Sequence, residues 1–362
     1  MVDSGFGRHG GNLKDLASMA GVREEEILDF SANVNPLGFP EWLRPLLSSH
    51  ISRLSSYPDP HARQFAAAVA SAHGVDERQV VPGNGATELL YAAACMGKFK
   101  KAVIPIPAYV DYRACAERAG LAVETLLMEE ADGFSLDLDS LSGILNGGEV
   151  VFIGSPNNPN GAIVDHDGLL RLADGKQDTV FVVDESFGGF VDGYESTIGC
   201  GRDNVVTVVS MTKLFAIPGL RLGYAVAGDR LADSLRAHVD PWSVNAMAQA
   251  TGMEAMTDGE YVRRSVEAVR EWREELAAAL RETPGLKIYP GFANYLLARL
   301  EDGDASQLAQ RMLMNHRIAI RVCHNYEGLD GRYFRLAVRD GADNRKLVHA
   351  MMDELGVTAS AV

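Results

Sequence analysis

The sequence predicts an α/β fold in which a large lobe on a mostly parallel sheet precedes a smaller α+β lobe. Three observations carry that reading. Between about Ala86 and Gly228, short β-branched runs alternate with amphipathic or alanine-rich stretches, the pattern of strands and crossover helices. From Glu260 to Thr283, apolar residues recur at helical spacing (Val262, Val266, Val269, Trp272, Leu276, Leu280), which predicts one amphipathic helix linking the lobes. After it the chain shifts to short strands and helices. With 362 residues and 47% apolar content, there is material for a large core split between two lobes.

Taken in order, strands are predicted at Lys101–Pro107, Ala122–Met128, Glu149–Ser155, Thr179–Glu185, Val205–Met211 and Leu222–Gly228, each bounded by Gly, Pro, Asn or Asp. A helix opens at Ala86 and runs to Met96. The tail predicts strands at Tyr295–Leu300, Ile318–Val322 and Tyr333–Val338, a helix near Ser306–Asn315 and a last helix from Asn344. In open α/β sheets ligands bind just beyond the strand C-termini, and that is where the unusual residues of this chain cluster.

Composition excludes several classes. No apolar run approaches the roughly 20 residues of a membrane-spanning helix. Residues Met1–Gly11 lack a basic start followed by an apolar stretch, so no secretory signal is expected and the cytoplasm is the expected location. Four cysteines (Cys95, Cys115, Cys200, Cys323) lie far apart, which suits neither a metal site nor a disulfide framework; they are expected to be reduced and mostly buried. A net charge of −15 disfavours a nucleic-acid partner, so any anionic ligand must be held by a local cluster of donors.

Four elements carry chemistry. In Ser210-Met211-Thr212-Lys213 a lysine directly follows a buried strand, where an ammonium is costly unless exposed at a turn or kept as a nucleophile. Two hydroxyls flank it, and Arg221 follows eight residues on; together they can seat a phosphate dianion. Val182-Val183-Asp184-Glu185 ends an apolar strand in an acid, which can be a cap or a carboxylate held against a ring nitrogen. Ser155-Pro156-Asn157-Asn158-Pro159-Asn160-Gly161 is a turn by composition, whose asparagine can meet a ring hydroxyl. Gly83-Asn84-Gly85-Ala86 opens a helix with glycines, leaving backbone N–H groups at its positive end.

Together and in this order, the four elements resemble those of fold-type-I pyridoxal-phosphate enzymes. The resemblance implies a mostly parallel seven-stranded sheet in the large domain and pyridoxal 5′-phosphate as cofactor. It also implies Lys213 as the Schiff-base lysine, Asp184 on the pyridine nitrogen and Asn158 on the ring 3-hydroxyl. Ser210, Thr212, Arg221 and the amides near Gly85 and Ala86 would hold the phosphate, and Tyr109 would stack on the ring. Tyr57, in Tyr57-Pro58-Asp59-Pro60, resembles the tyrosine that reaches a neighbouring subunit's phosphate, which implies a homodimer with shared sites.

Within the histidinol-phosphate-aminotransferase-like group, the chain is similar over essentially its full length to the L-threonine-O-3-phosphate decarboxylase branch of cobalamin biosynthesis. The similarity rests on His9-Gly10-Gly11-Asn12, Leu28–Gly38, Pro241–Ala246 and Tyr289–Leu297. It implies an arm at 1–40 packing on the small domain and substrate site, a cofactor domain at 41–255 and a small domain at 256–362. It also implies His9 and Gly10 on a substrate phosphate, with Asn33, Asn158, Arg321 and Arg335 completing the pocket and Arg335 as the carboxylate fork. An inward arginine in a strand is hard to justify without an anion. Aminotransferases commonly place a tyrosine where this chain has Phe187, three residues after Asp184, so a donor to the ring oxygen is missing unless another group supplies it. Asn160 stands where that turn usually has a small hydroxyl residue, and its role is not legible. The expected reaction is decarboxylation of threonine phosphate; the alternatives are a histidinol-phosphate or related aminotransferase, and a cofactor-binding protein without turnover.

Overall fold

The structure is a computed structural model and describes residues 9–356. Of the expected N-terminal arm, residues 1–8 lie outside the described residues. The strands in chain order are β1 Leu28–Asp29, β2 Val80–Gly83, β3 Lys101–Ile106, β4 Ala122–Leu127, β5 Glu149–Gly154, β6 Val180–Asp184, β7 Val205–Ser210, β8 Gly223–Ala227, β9 Leu286–Ile288, β10 Tyr295–Leu300, β11 Ile318–Ala319, β12 Arg321–Val322 and β13 Tyr333–Ala337.

Seven of them form one sheet in the order β2-β8-β7-β6-β5-β3-β4, parallel except for β8. Strands β5, β6 and β8 are buried along their whole length, because helices cover both faces. Alternation divides the side chains. Phe152, Val182, Val206 and Val208 meet the helices Ala86–Cys95 and Asp111–Arg118 on one face. Val151, Ile153, Phe181 and Val183 meet Leu138–Ile144 and His166–Gly175 on the other. Each strand predicted in this region appears within a residue of its expected ends. The edge strand β2 was not among the predicted strands; its Pro82 is tolerated because one side of an edge strand is left unpaired.

A second sheet, β12-β13-β10-β9, is antiparallel. The helices Gly259–Arg281, Ala305–His316 and Gly341–Glu354 close one core on it, with Leu276, Leu280, Leu308, Met312, Leu347 and Met351 packed around Phe334. Two expectations are corrected here. The run Ile318–Val322 is not one strand: Leu28 and Asp29 pair with Ile318 and Ala319 in a separate parallel ladder, while Arg321 and Val322 pair with β13. The last helix starts at Gly341 rather than Asn344, because the Asp340 carboxylate caps the Asp343 N–H. The cysteines are mixed rather than mostly buried: Cys115 and Cys323 are buried, Cys200 is half-buried and Cys95 is exposed. Among the described residues no helix is long and apolar enough to cross a membrane.

Candidate active site

The topology puts the chemistry at one edge. Strands β2, β5, β6 and β7 all end there, and antiparallel β8 begins there, so Gly83, Gly223 and Ser210 lie side by side, as do Gly154 and Asp184. A cleft of about 160 Å³ opens over this edge, walled on its other side by the small sheet and by His9, Gly10 and Ser31 to Asn33. Lys213, Asp184, Asn158, Tyr109, Ser210, Thr212, Arg221, Ala86, His9, Gly10, Asn33, Arg321 and Arg335 all line it. Gly85 sits just behind the wall. Tyr57 does not join them: it is 87% exposed on another face, its ring 5.4 Å from that of Trp242.

Lys213 is half-buried in the single helical turn that follows β7. Burial, then the Arg335 and Arg221 guanidiniums, push its ammonium down to about 8, against the pull of Asp184. A substantial fraction of neutral amine is therefore present near neutral pH. Asp184 ends β6 and is itself buried, accepting from the Tyr112 hydroxyl at 2.9 Å and the Ser186 N–H at 3.0 Å. Burial pushes its carboxyl up, opposed by Ser186, Tyr112 and the Lys213 charge. A cation placed beside it would reverse that balance.

Beside β7, the Ser210 and Thr212 hydroxyls are 2.7 Å apart, and Arg221 takes a left-handed backbone (φ 57°) that turns it toward the helix start. A Cβ at Gly85 would fall 2.7 Å from an Arg221 terminal nitrogen, so only glycine leaves that guanidinium its place. The Gly85 N–H is spent on the Gly83 carbonyl and the Asn84 N–H on Glu88. Gly85 therefore contributes room, and of the first-turn amides those of Ala86 and Thr87 belong to residues that line the cleft.

The opposite wall is cationic. Arg321 and Arg335 are directly paired across β12 and β13, with 3% and 5% exposure. Like charges in such a pair repel, and burial lowers the Arg321 pKa, with Arg335 adding to the effect. Arg335 donates to Asn158 Oδ1 at 2.6 Å and to the Ser31 carbonyl at 2.9 Å. Asn33 lies on the same wall with both amide atoms buried and no partner among the described residues. Two buried cations and an unsatisfied amide facing one cleft describe a site for an anion. At its mouth His9 lies 3.5 Å from Asp111, which also accepts from Tyr109 at 2.9 Å.

The model of the aminotransferase class I and II family matches residues 25–351. The chain belongs to that family. Its members use pyridoxal phosphate. Among curated proteins, the chain is 36% identical over 358 residues to a threonine-phosphate decarboxylase of Salmonella typhimurium, covering 98% of both. It is 35% identical over 347 residues to the adenosylcobalamin biosynthesis bifunctional protein of Leptospira interrogans, covering 94% of this chain but only 40% of that longer protein. Among solved structures, the histidinol-phosphate aminotransferase of Clostridium acetobutylicum superposes with a TM-score of 0.86 at 27% identity, covering 91% of this chain and 100% of that one.

The cleft of this family member fits the cofactor on its own geometry. A buried acid, a depressed lysine, the glycine-spaced guanidinium and the open helix start converge on one strand edge. Sequence reasoning missed Tyr112, Asp111 and Tyr326. Tyr112 reads as core on a helix, and Tyr326 reaches Asn158 across 168 residues of chain. Asn160 now has an account: fully buried, it accepts from Asn157 at 2.7 Å and donates to the Phe134 carbonyl at 3.0 Å, stapling the turn that presents Asn158.

Proposed function

We propose that the chain binds pyridoxal 5′-phosphate and decarboxylates L-threonine O-3-phosphate to (R)-1-aminopropan-2-yl phosphate and carbon dioxide, the aminopropanol step of cobalamin synthesis. The observation that carries this is the convergence of Lys213 and Asp184 with two buried arginines on one cleft. The near full-length likeness to proteins named for that reaction supports it. Bound there, the cofactor supplies a carbonyl carbon that captures primary amines and a ring that withdraws electrons when its nitrogen is protonated. Asp184 holds that proton, Asn158 donates to the ring oxygen, and Tyr109 covers the ring. Ser210, Thr212, Arg221 and the amides of Ala86 and Thr87 hold the phosphate.

Arg335 grips the substrate carboxylate and sets its direction, which decides which bond at Cα breaks. Arg321, His9, Gly10 and Asn33 take the substrate phosphate. Once free and protonated, Lys213 can donate as its ammonium the proton that replaces the departing carboxylate at Cα. We further assign residues 1–40 to an arm, 41–255 to the cofactor domain and 256–362 to the small domain, in a homodimer whose Tyr57 completes the partner's phosphate site.

Product analysis tests the reading: cofactor-loaded protein and threonine phosphate yield carbon dioxide and aminopropanol phosphate without a keto acid. The fit to the Clostridium acetobutylicum structure favours a second reading, an aminotransferase for histidinol phosphate or a related amine. Turnover that requires a keto acid and releases no carbon dioxide would establish it instead.

A further inference from the structure

Phe187 leaves one donor to the ring oxygen missing, and the structure shows what has been built around that gap. The Phe187 ring packs edge-on against Tyr295, 4.9 Å between centroids, and the Tyr295 hydroxyl donates to the Asn157 carbonyl at 2.8 Å. Next to it, the Tyr326 hydroxyl donates to Asn158 Oδ1 at 3.0 Å, and Arg335 donates to the same oxygen. Two tyrosines of the small lobe thus hold the turn that carries Asn158, one by its backbone and one by its side chain.

An amide has two ends, and which one faces the cleft decides its function. With Oδ1 held by Tyr326 and Arg335, the Nδ2 end is the one left to the cleft. Reversed, the amide would turn a carbonyl toward the ring oxygen and repel it. Tyr326 is well placed to prevent this: it is 3% exposed, its N–H donates to the Cys323 carbonyl at 3.0 Å, and Arg321 covers its ring at 5.4 Å.

We infer that Tyr326 is a positioning residue that fixes the Asn158 amide as a donor to the cofactor's ring oxygen, replacing from the small lobe the hydroxyl that Phe187 lacks. Arg335 spreads its donors over several partners, Nη1 on Asn158 and Nη2 on the Ser31 carbonyl, with Nε buried and without a partner among the described residues. Tyr326 adds a second donor to the same Asn158 oxygen from the small lobe.

The inference rests on the pyridoxal-phosphate reading, and its test separates the two. In the cofactor-loaded protein, the midpoint of the visible-absorbance pH titration reports how strongly the ring oxygen is stabilised as an anion. A donor lowers the midpoint, and its loss raises it. Tyr326→Phe is expected to raise it by about 0.5 to 1 pH unit with cofactor content unchanged. Asn158→Ala raises it at least as far, and adding Tyr326→Phe to Asn158→Ala changes nothing more. The other titratable groups lining the cleft, namely Lys213, Asp184, Arg221, Arg321, Arg335, His9, Tyr109 and Tyr112, are unaltered in every variant. An unchanged midpoint in Tyr326→Phe, or a shift that adds to that of Asn158→Ala, overturns the assignment and leaves the cofactor reading standing. A wild-type protein that acquires no visible band overturns both. A ring-fluorinated tyrosine at position 326 strengthens the donor without changing its shape, and lowers the midpoint; it decides the question if Tyr326→Phe does not fold.

Discussion

Burial and two guanidiniums lower the pKa of the Lys213 ammonium. An ammonium titrating near 8 leaves about one amine in ten neutral at pH 7, against about one in three thousand for an exposed lysine. Uptake of pyridoxal phosphate by the apoprotein is therefore expected to quicken roughly tenfold per pH unit below about 8 and to level off above it. Stopped-flow absorbance checks this, and a profile still rising at pH 10 would contradict it. The Arg321–Arg335 pair makes a second prediction, in which stability and function part ways. Without an anion the two buried cations destabilise each other, so Arg335→Met should raise the apoprotein's unfolding free energy by about 1 to 2 kcal/mol. On the proposed reading the same change removes the carboxylate fork and should lower kcat/KM about 100-fold or more. Denaturant titration and steady-state kinetics on one variant test both halves; an apoprotein less stable than wild type would count against the anion site.

Elements were legible where the apolar pattern was continuous. Lys213, Asp184 and Asn158 stand within a few residues of strand ends, where Pro, Gly, Asn and Asp interrupt β-branched runs, so local sequence marks both the strand and the residue after it. Contacts between lobes left no local mark. Glu130, in the turn Glu130–Asp132 beyond β4, accepts from Lys287 on β9 at 2.7 Å, from Tyr289 at 2.5 Å and from Arg299 on β10 at 2.8 Å. The Lys287 and Tyr289 hydrogen bonds hold its carboxyl down to about 2. Because the folded-state value lies below the unfolded one, this stabilisation is complete above about pH 4.5 and is lost as pH falls toward 2. Glu130→Gln should thus cost roughly 1 to 2 kcal/mol near pH 7, modest because the site is partly solvated. The gap from wild type should shrink between pH 4.5 and pH 2; chemical denaturation across that range, with an unvarying gap, would refute it.

At the scale of the whole molecule, charge and surface point to the same arrangement. A chain with net charge −15 places Lys213, Arg221, Arg321 and Arg335 together in one cleft, so the anionic ligand and the anionic surface do not compete for the same ground. The same chain leaves Ile51 and Leu54 about 60% exposed a few residues before Tyr57, whose own exposed ring meets that of Trp242. If a second copy covers it and each Tyr57 serves the other's phosphate seat, Lys213 and Tyr57 of one functional site come from different chains. Lys213→Ala and Tyr57→Ala then damage a site from opposite subunits. In a dimer formed from one of each, one site carries both lesions and the other carries neither. Unfolding and refolding the two weak variants together should therefore recover about a quarter of wild-type activity, since half of randomly paired dimers are mixed and each has one intact site. Recovery of nothing beyond the average of the separate variants would mean that each chain builds its phosphate seat alone.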